Sequence, residues 1–169
     1  MKSTPVKTLF VEQRLIKSIY LFLLFVMGLT GFSQRSIFKR YYIADIPGLG
    51  WLSQYYVTHA IHYIGAILLL FVMGYSAVFY LWMMRKQFDL TITAYVKIGF
   101  LIAIVGTGIL RVLKNLPDVV FSPNFTMFID ISHIGFMFGL MLFSAIAMAT
   151  RGKWLKQTQT KPINVYNQL

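Results

Sequence analysis

Residues 46–84 read IPGLGWLSQYYVTHAIHYIGAILLLFVMGYSAVFYLWMM, a run of 39 residues without one formally charged side chain. A helix crosses the hydrocarbon core of a bilayer in about 20 residues, so this run is too long for a single membrane helix. Pro47, Gly48 and Gly50 interrupt it early and favour an irregular, aromatic-rich segment at the membrane surface. We therefore predict a membrane helix that begins after this segment and covers about 57–83.

Three further apolar runs flank this helix, at about 16–34, 94–114 and 126–150. Each has the length of a membrane-spanning helix, and basic residues or prolines separate it from its neighbours. A cleaved signal peptide is the alternative interpretation of the first run, and cleavage would leave the other three spans unchanged. The pattern predicts an all-α integral membrane protein: a four-transmembrane-helix bundle over residues 1–150, with a short cytoplasmic tail at 151–169.

The whole chain has the composition of a membrane protein. Its 169 residues are 57% hydrophobic, 17% aromatic and 12% charged, with a mean hydropathy of +0.66. Soluble domains carry roughly 25% charged residues, so these values exclude a soluble enzyme and an intrinsically disordered chain. The absence of cysteine excludes a disulfide framework and thiolate-bound iron–sulfur centres.

Basic residues set the predicted orientation. The chain has 16 Lys and Arg against 5 Asp and Glu, a net charge of +11, and cytoplasmic loops of membrane proteins are enriched in Lys and Arg. One side of the predicted membrane carries eleven basic residues, namely Lys2, Lys7, Arg14, Lys17, Arg85, Lys86, Lys97, Arg151, Lys153, Lys156 and Lys161. The other side carries Arg35, Lys39, Arg40, Arg111 and Lys114. We predict a multi-pass protein of the cell inner (cytoplasmic) membrane with both termini cytoplasmic, contacts with membrane lipid, and no nucleic-acid partner.

The three histidines of the chain all fall in predicted spans: His59, His62 and His133. Ionisable or metal-binding residues inside a membrane mark functional sites because their burial is costly. His62 and His133 lie on helices that enter from the same face, at depths of roughly 8 to 11 Å from a rise of about 1.5 Å per residue. Two imidazoles at one level are what bis-histidine ligation of a haem requires. His59 is the alternative ligand on its helix.

Two other interpretations of these residues stay open. His59 and His62, like Asp130 and His133, are spaced i, i+3 and so share a helix face, which makes a compact non-haem zinc or iron site possible. Alternatively, the histidines only form hydrogen bonds between helices, and the protein is a non-redox anchor or assembly subunit of a respiratory complex.

Short motifs in all four spans carry a resemblance to a known family: Arg14-Leu15-Ile16-Lys17 followed by Thr30-Gly31, HYIGAILLLF from His62, Thr107-Gly108, and His133. On these motifs the chain resembles the four-helix membrane cytochrome b subunits of formate dehydrogenase (the gamma subunit), NiFe-hydrogenase and thiosulfate reductase. The resemblance covers roughly residues 12–150. It implies a quinone-linked b-type haem protein.

The resemblance also implies a reduced cofactor content. In the resembled family, a histidine on the first helix and a deeper one on the fourth hold the haem on the cytoplasmic side. Here Lys17 stands at the first position, and no histidine occurs near Ala147 and Met148. The resemblance therefore implies one haem b, with His62 and His133 as axial ligands of its iron and His59 as the alternative to His62.

The function implied is that of an electron-transfer subunit of an oxidoreductase complex with no catalytic residues of its own. It would relay electrons between quinone or quinol in the membrane and an extracytoplasmic redox partner subunit. An iron–sulfur protein, a molybdopterin enzyme or a multihaem cytochrome c each suits that role.

Overall fold

A computed structural model describes residues 6–35 and 37–158 of the chain, with side chains described from residue 14 onward. It has four long helices, α1 (Val6–Ser33), α3 (Tyr55–Phe79), α4 (Ile92–Leu113) and α5 (Pro123–Ala149), and one short helix, α2 (Ile37–Arg40). The strands described are β1 (Phe88–Leu90) and β2 (Leu155–Gln157), of three residues each. The prediction of an all-α membrane protein with four spanning helices is confirmed.

The chain divides into two compact units between Trp82 and Met83. The first holds the helix pair α1–α3 and the second holds the pair α4–α5. The candidate membrane spans are 14–33, 55–84, 92–113 and 123–149, and each differs from its predicted bounds by three residues or fewer. Parts of the predicted tail and amino-terminal basic cluster, including Lys2 and Lys161, lie outside the described residues.

Short helical turns connect the two long helices of the first unit. Of two 3-10 turns, Gly50–Ser53 lies in the segment 46–56 that the sequence predicts to be irregular, and Ile43–Asp45 lies just before it. Gly48 has a φ of +89°, which a residue with a side chain rarely adopts, and this conformation separates the two turns. At its other end, α3 continues as a π-helical turn over Tyr80–Met84.

Side-chain caps fix the ends of the helices in the second unit. The Ser122 hydroxyl accepts a hydrogen bond from the Phe125 backbone N–H, and Pro123 follows at the first helical position, where its missing N–H costs nothing. The Thr91 hydroxyl accepts from the Ala94 N–H and donates to the Lys153 carbonyl, which ties the start of α4 to the chain beyond α5. These caps explain why the two helices begin where they do.

The two strands were not predicted. β1 precedes α4, β2 follows α5, and they pair antiparallel with Phe88 opposite Gln157. Part of the segment predicted to be a polar tail is therefore ordered against the second unit. Lys97 strengthens this link, because its ammonium lies 5.4 Å from the ring centre of Trp154.

The long helices expose their apolar surface. No more than 11% of any candidate span is buried, and large side chains such as Phe71, Trp82 and Met148 are over 70% exposed. Water would penalise such a surface, whereas lipid does not. The protein is a multi-pass membrane protein whose helices contact lipid.

Candidate functional site

His62 is held by a threonine of the neighbouring helix. Its Nδ1 lies 2.9 Å from the Thr30 hydroxyl oxygen, across the α1–α3 pair. Thr30 is fully buried, and its hydroxyl also contacts the Val26 carbonyl at 2.8 Å, one turn earlier on its own helix. The imidazole of His62 is thus fixed from the side of Nδ1.

His133 is held in the same way in the second unit. Its Nδ1 lies 2.9 Å from the Thr107 hydroxyl oxygen, across the α4–α5 pair. The Thr107 hydroxyl contacts the Ala103 carbonyl at 2.8 Å. The two predicted haem ligands therefore have equivalent partners at equal distances.

The proton of each threonine hydroxyl determines which histidine tautomer fits. A carbonyl oxygen only accepts hydrogen bonds, so an oxygen–oxygen distance of 2.8 Å from Thr30 to Val26 requires the hydroxyl proton to lie between them. Thr30 has no second proton to donate and must accept from His62. In the neutral imidazole, Nδ1 then carries the proton and Nε2 carries the lone pair. The same reasoning applies to Thr107 and His133.

A glycine beside each threonine lies next to the imidazole. A Cβ atom on Gly31 would lie 3.4 Å from Cε1 and 3.9 Å from Nδ1 of His62. A Cβ atom on Gly108 would lie at the same two distances from the corresponding atoms of His133. The Thr-Gly pair is therefore one unit in both helix pairs: the threonine contacts Nδ1, and the ring lies at van der Waals distance from where a side chain on the glycine would begin.

His59 has a different environment from the other two histidines. Its ring stacks on Tyr55 at 5.2 Å between ring centres and meets Tyr63 edge to face at 4.3 Å. It belongs to a cluster of aromatic rings within α3 that also includes Tyr56, whose ring meets Tyr55 edge to face. Nothing comparable to the Thr-Gly unit is described beside it.

Asp130, which the sequence places in a possible non-haem metal site, forms ion pairs instead. Its carboxylate oxygens lie 3.0 Å from Arg111 Nε and 2.9 Å from Lys114 Nζ. All three side chains are about one-fifth exposed, so the attraction between them is only partly screened by solvent. Within residues 14–35 and 37–158, no three His, Asp or Glu side chains lie close enough together to hold a metal ion.

Comparisons of the chain with protein-family models, curated proteins and solved structures find no match. The likeness to membrane cytochromes b therefore stays a prediction from short motifs. Those motifs do include Thr30-Gly31 and Thr107-Gly108, yet sequence reasoning assigned neither threonine a role. The missing signal was their pairing with histidines 32 and 26 residues away, which no local pattern reveals.

Proposed function

We propose that this protein is the haem b-containing membrane subunit of a respiratory complex, and that it relays electrons between the quinone pool and an extracytoplasmic redox subunit. The proposal assigns one haem b to the chain, with His62 and His133 as axial ligands of the iron. The observation that carries it is the pair of matched Thr–His hydrogen bonds, each 2.9 Å long, in two separate helix pairs.

The donor chemistry of the two histidines fits a haem iron. Bis-histidine ligation uses one neutral imidazole nitrogen on each side of the macrocycle. The threonine contacts leave the lone pair of both imidazoles on Nε2, the nitrogen that would bind the metal. Ligating histidines also commonly donate their other ring N–H to a fixed acceptor, and Thr30 and Thr107 provide such acceptors.

The same criterion favours His62 over His59. A ligand needs a defined orientation and a defined tautomer, and the Thr30 hydroxyl gives His62 both. The His59 ring packs between Tyr55 and Tyr63, which orients it through its faces and edge rather than through a nitrogen. His59 accordingly serves as an internal control for the ligand assignment.

The short connecting segments indicate which functions belong to this subunit and which to its partner. A bound haem would supply one-electron redox chemistry, while the protein contributes ligation, orientation and a surrounding of low polarity. The segments that join the long helices are short, so substrate chemistry belongs to a partner subunit such as an iron–sulfur protein, a molybdopterin enzyme or a multihaem cytochrome c. The excess of basic residues supports cytoplasmic termini in the inner membrane and, with them, a position of the candidate ligands toward the outer face.

The test is the absorption spectrum of the detergent-purified full chain, oxidised and dithionite-reduced, with a pyridine haemochrome assay of stoichiometry. We expect a b-type α-band and about one haem per chain, as bis-histidine ligation requires. His62→Ala and His133→Ala should each abolish the band, whereas His59→Ala should keep it. A colourless wild-type protein from a fully assembled complex would refute the proposal and leave the anchor function, and metal analysis of that sample would then detect a non-haem site.

A further inference from the structure

We propose that Thr30 and Thr107 are positioning residues that fix the tautomer of His62 and His133 and thereby set the redox potential of the metal these histidines bind. The second half of this statement rests on the proposed haem function. The first half, the tautomer, is a property of the polypeptide alone, so the two can fail separately.

The geometry assigns each threonine a double role. Its hydroxyl donates to a carbonyl of its own helix at 2.8 Å, from Thr30 to Val26 and from Thr107 to Ala103. The same oxygen accepts from the histidine Nδ1 at 2.9 Å. Because the backbone carbonyl takes the only hydroxyl proton, the threonine cannot stabilise the opposite tautomer. Through the threonine hydroxyl, a backbone carbonyl thus determines which nitrogen of an imidazole on the neighbouring helix carries the proton.

Thr58 shows that a buried, back-bonded threonine does not by itself imply this role. It is fully buried on α3, and its hydroxyl donates to carbonyls of its own helix, to Tyr55 at 3.0 Å and to Gln54 at 3.1 Å. No imidazole contact is described for its hydroxyl. Thr58 is therefore the matched control: it has the residue type and backbone contact of both threonines and the full burial of Thr30, while Thr107 is half-buried, and no histidine contact is described for it.

The predicted effect on a bound metal has a definite sign. A hydroxyl that accepts from Nδ1–H makes the imidazole a stronger electron donor, and a stronger donor stabilises the oxidised, more positive metal. Replacing Thr30 or Thr107 by valine keeps the side-chain shape and removes the acceptor. The midpoint potential should then rise. Serine at either position keeps the hydroxyl and should keep the potential.

The tautomer is tested by nitrogen NMR on the full chain in lipid bilayers, labelled with 15N-histidine and produced without haem. A His59→Ala background leaves only His62 and His133 to observe. We expect both to show a protonated Nδ1 and an unprotonated Nε2, and we expect Thr30→Val to change only His62 and Thr107→Val only His133. A protonated Nε2 with an unprotonated Nδ1 in the starting protein would overturn the tautomer assignment.

The effect on the metal is tested by redox titration of the haem-loaded protein. At a fixed ambient potential, we expect the ratio of reduced to oxidised haem to rise by up to about tenfold in Thr30→Val and in Thr107→Val, which corresponds to about 59 mV for one electron. Thr30→Ser, Thr107→Ser and Thr58→Val should match the wild type. Haem loss in the two valine variants that serine reverses also supports the inference.

Two results separate the inference from the proposed function. Unchanged potential and haem content in both valine variants would overturn the role of the threonines while the haem function stands. A wild type without haem would overturn the haem function and with it the potential effect, while the NMR experiment still decides the tautomer.

Discussion

The α1–α3 pair and the α4–α5 pair are built around the same contact but differ in the charged and aromatic residues near it. Each has a Thr-Gly pair on its first helix and a histidine on its second, joined at 2.9 Å. Seven residues after the histidine, both second helices bury a leucine, Leu69 in one and Leu140 in the other. Four residues before it, both bury a side chain completely, Thr58 in one and Ile129 in the other.

The difference between the pairs begins three residues before the histidine. That position is His59 in the first pair, within an aromatic cluster, and Asp130 in the second, within a cluster of two cations and one carboxylate. Contacts around the histidine nitrogen are thus repeated, while those one turn away are not. The two pairs thus share the geometry of the histidine contact and differ in the chemistry of the residue one turn before it.

The strongest test of whether the two histidine contacts are equivalent is to fill the space beside each imidazole. A valine at Gly31 or Gly108 places branched methyl groups beyond a Cβ that already lies 3.4 Å from the ring. We expect each substitution to displace its histidine and, under the proposed haem function, to remove most of the haem, to the same extent in both pairs. The measurement is haem per chain in the purified protein.

Gly28→Val and Gly106→Val are the controls for this test. A Cβ at either position meets no atom within 4 Å, so these variants carry the same change in helix propensity without the clash. Retention of haem in only one of Gly31→Val and Gly108→Val would show that the two Thr-Gly units are not equivalent.

A second test separates the two pairs by the stiffness of a neighbour. A Cβ on Gly139 would lie 2.6 Å from Phe100 Cε1, and one on Gly65 would lie 2.8 Å from Met27 Sδ. A methionine side chain moves aside easily, whereas a phenylalanine ring moves as a whole. Overpacking costs about 1–3 kcal/mol and alanine gains up to about 1 kcal/mol of helix propensity over glycine. We expect Gly139→Ala to be destabilised by about 1–2 kcal/mol and Gly65→Ala to be near neutral.

Denaturant titration in mixed micelles measures this difference. Phe100→Leu should recover part of the stability that Gly139→Ala loses, because the smaller side chain relieves the overlap. Equal losses in Gly65→Ala and Gly139→Ala would contradict the argument from side-chain stiffness.

A third, smaller effect concerns the ion cluster found in the second pair. Asp130→Asn removes the carboxylate and leaves Arg111 and Lys114 as adjacent like charges. Partly exposed ion pairs are worth up to about 1 kcal/mol, so we expect a loss of that size. The loss should shrink as salt concentration rises, because salt screens the repulsion that remains. A loss that does not change with salt would indicate a packing role for Asp130 instead.

The smallest expected effect lies at the end of α5. Arg151 has a φ of +54°, and the Gly152 N–H and Arg151 N–H bond to the carbonyls of Ala147 and Met148, the pattern of a Schellman cap. Arg151 thus occupies the left-handed position of the cap, where glycine is preferred, and Gly152 is the next residue. Left-handed backbone costs a non-glycine residue about 1–2 kcal/mol, so Arg151→Gly should gain about 1 kcal/mol in the same titration. A loss of stability would mean that the arginine side chain contributes more than the backbone strain costs.

The sequence predicts the four spans and their ends well because membrane helices are recognisable from the length of an apolar run and its lack of charge. It also points to His62 and His133, since histidine is rare and costly inside a span. The partners Thr30 and Thr107 need the packing of two helices, which distant positions along the chain do not reveal. For Asp130, the spacing from His133 suggests a metal ligand, whereas its described ion-pair partners are Arg111 in the last turn of α4 and Lys114 just after it, which that spacing does not reveal.

Comparing the sequences of the two helix pairs does not reveal that both contain the same threonine–histidine contact. The two helix pairs share only a threonine, a glycine, a histidine and a few buried apolar residues, and their separations of 32 and 26 residues differ because the connecting segments differ. Apolar helices otherwise look alike whatever their role. The strands β1 and β2 are equally hidden, since three residues in a polar segment form no recognisable alternation.

The pairing of β1 with β2 brings two distant points of the chain in the second unit close together. Phe88 faces Gln157 in the ladder, so the segment 88–157 begins and ends at neighbouring points. A tight β-turn between these two residues would close the ring, and a new break between α4 and α5 would reopen it with the helix order reversed. Such a circular permutant should still bring Thr107 to His133, because their contact depends on which helices are neighbours and not on which is synthesised first.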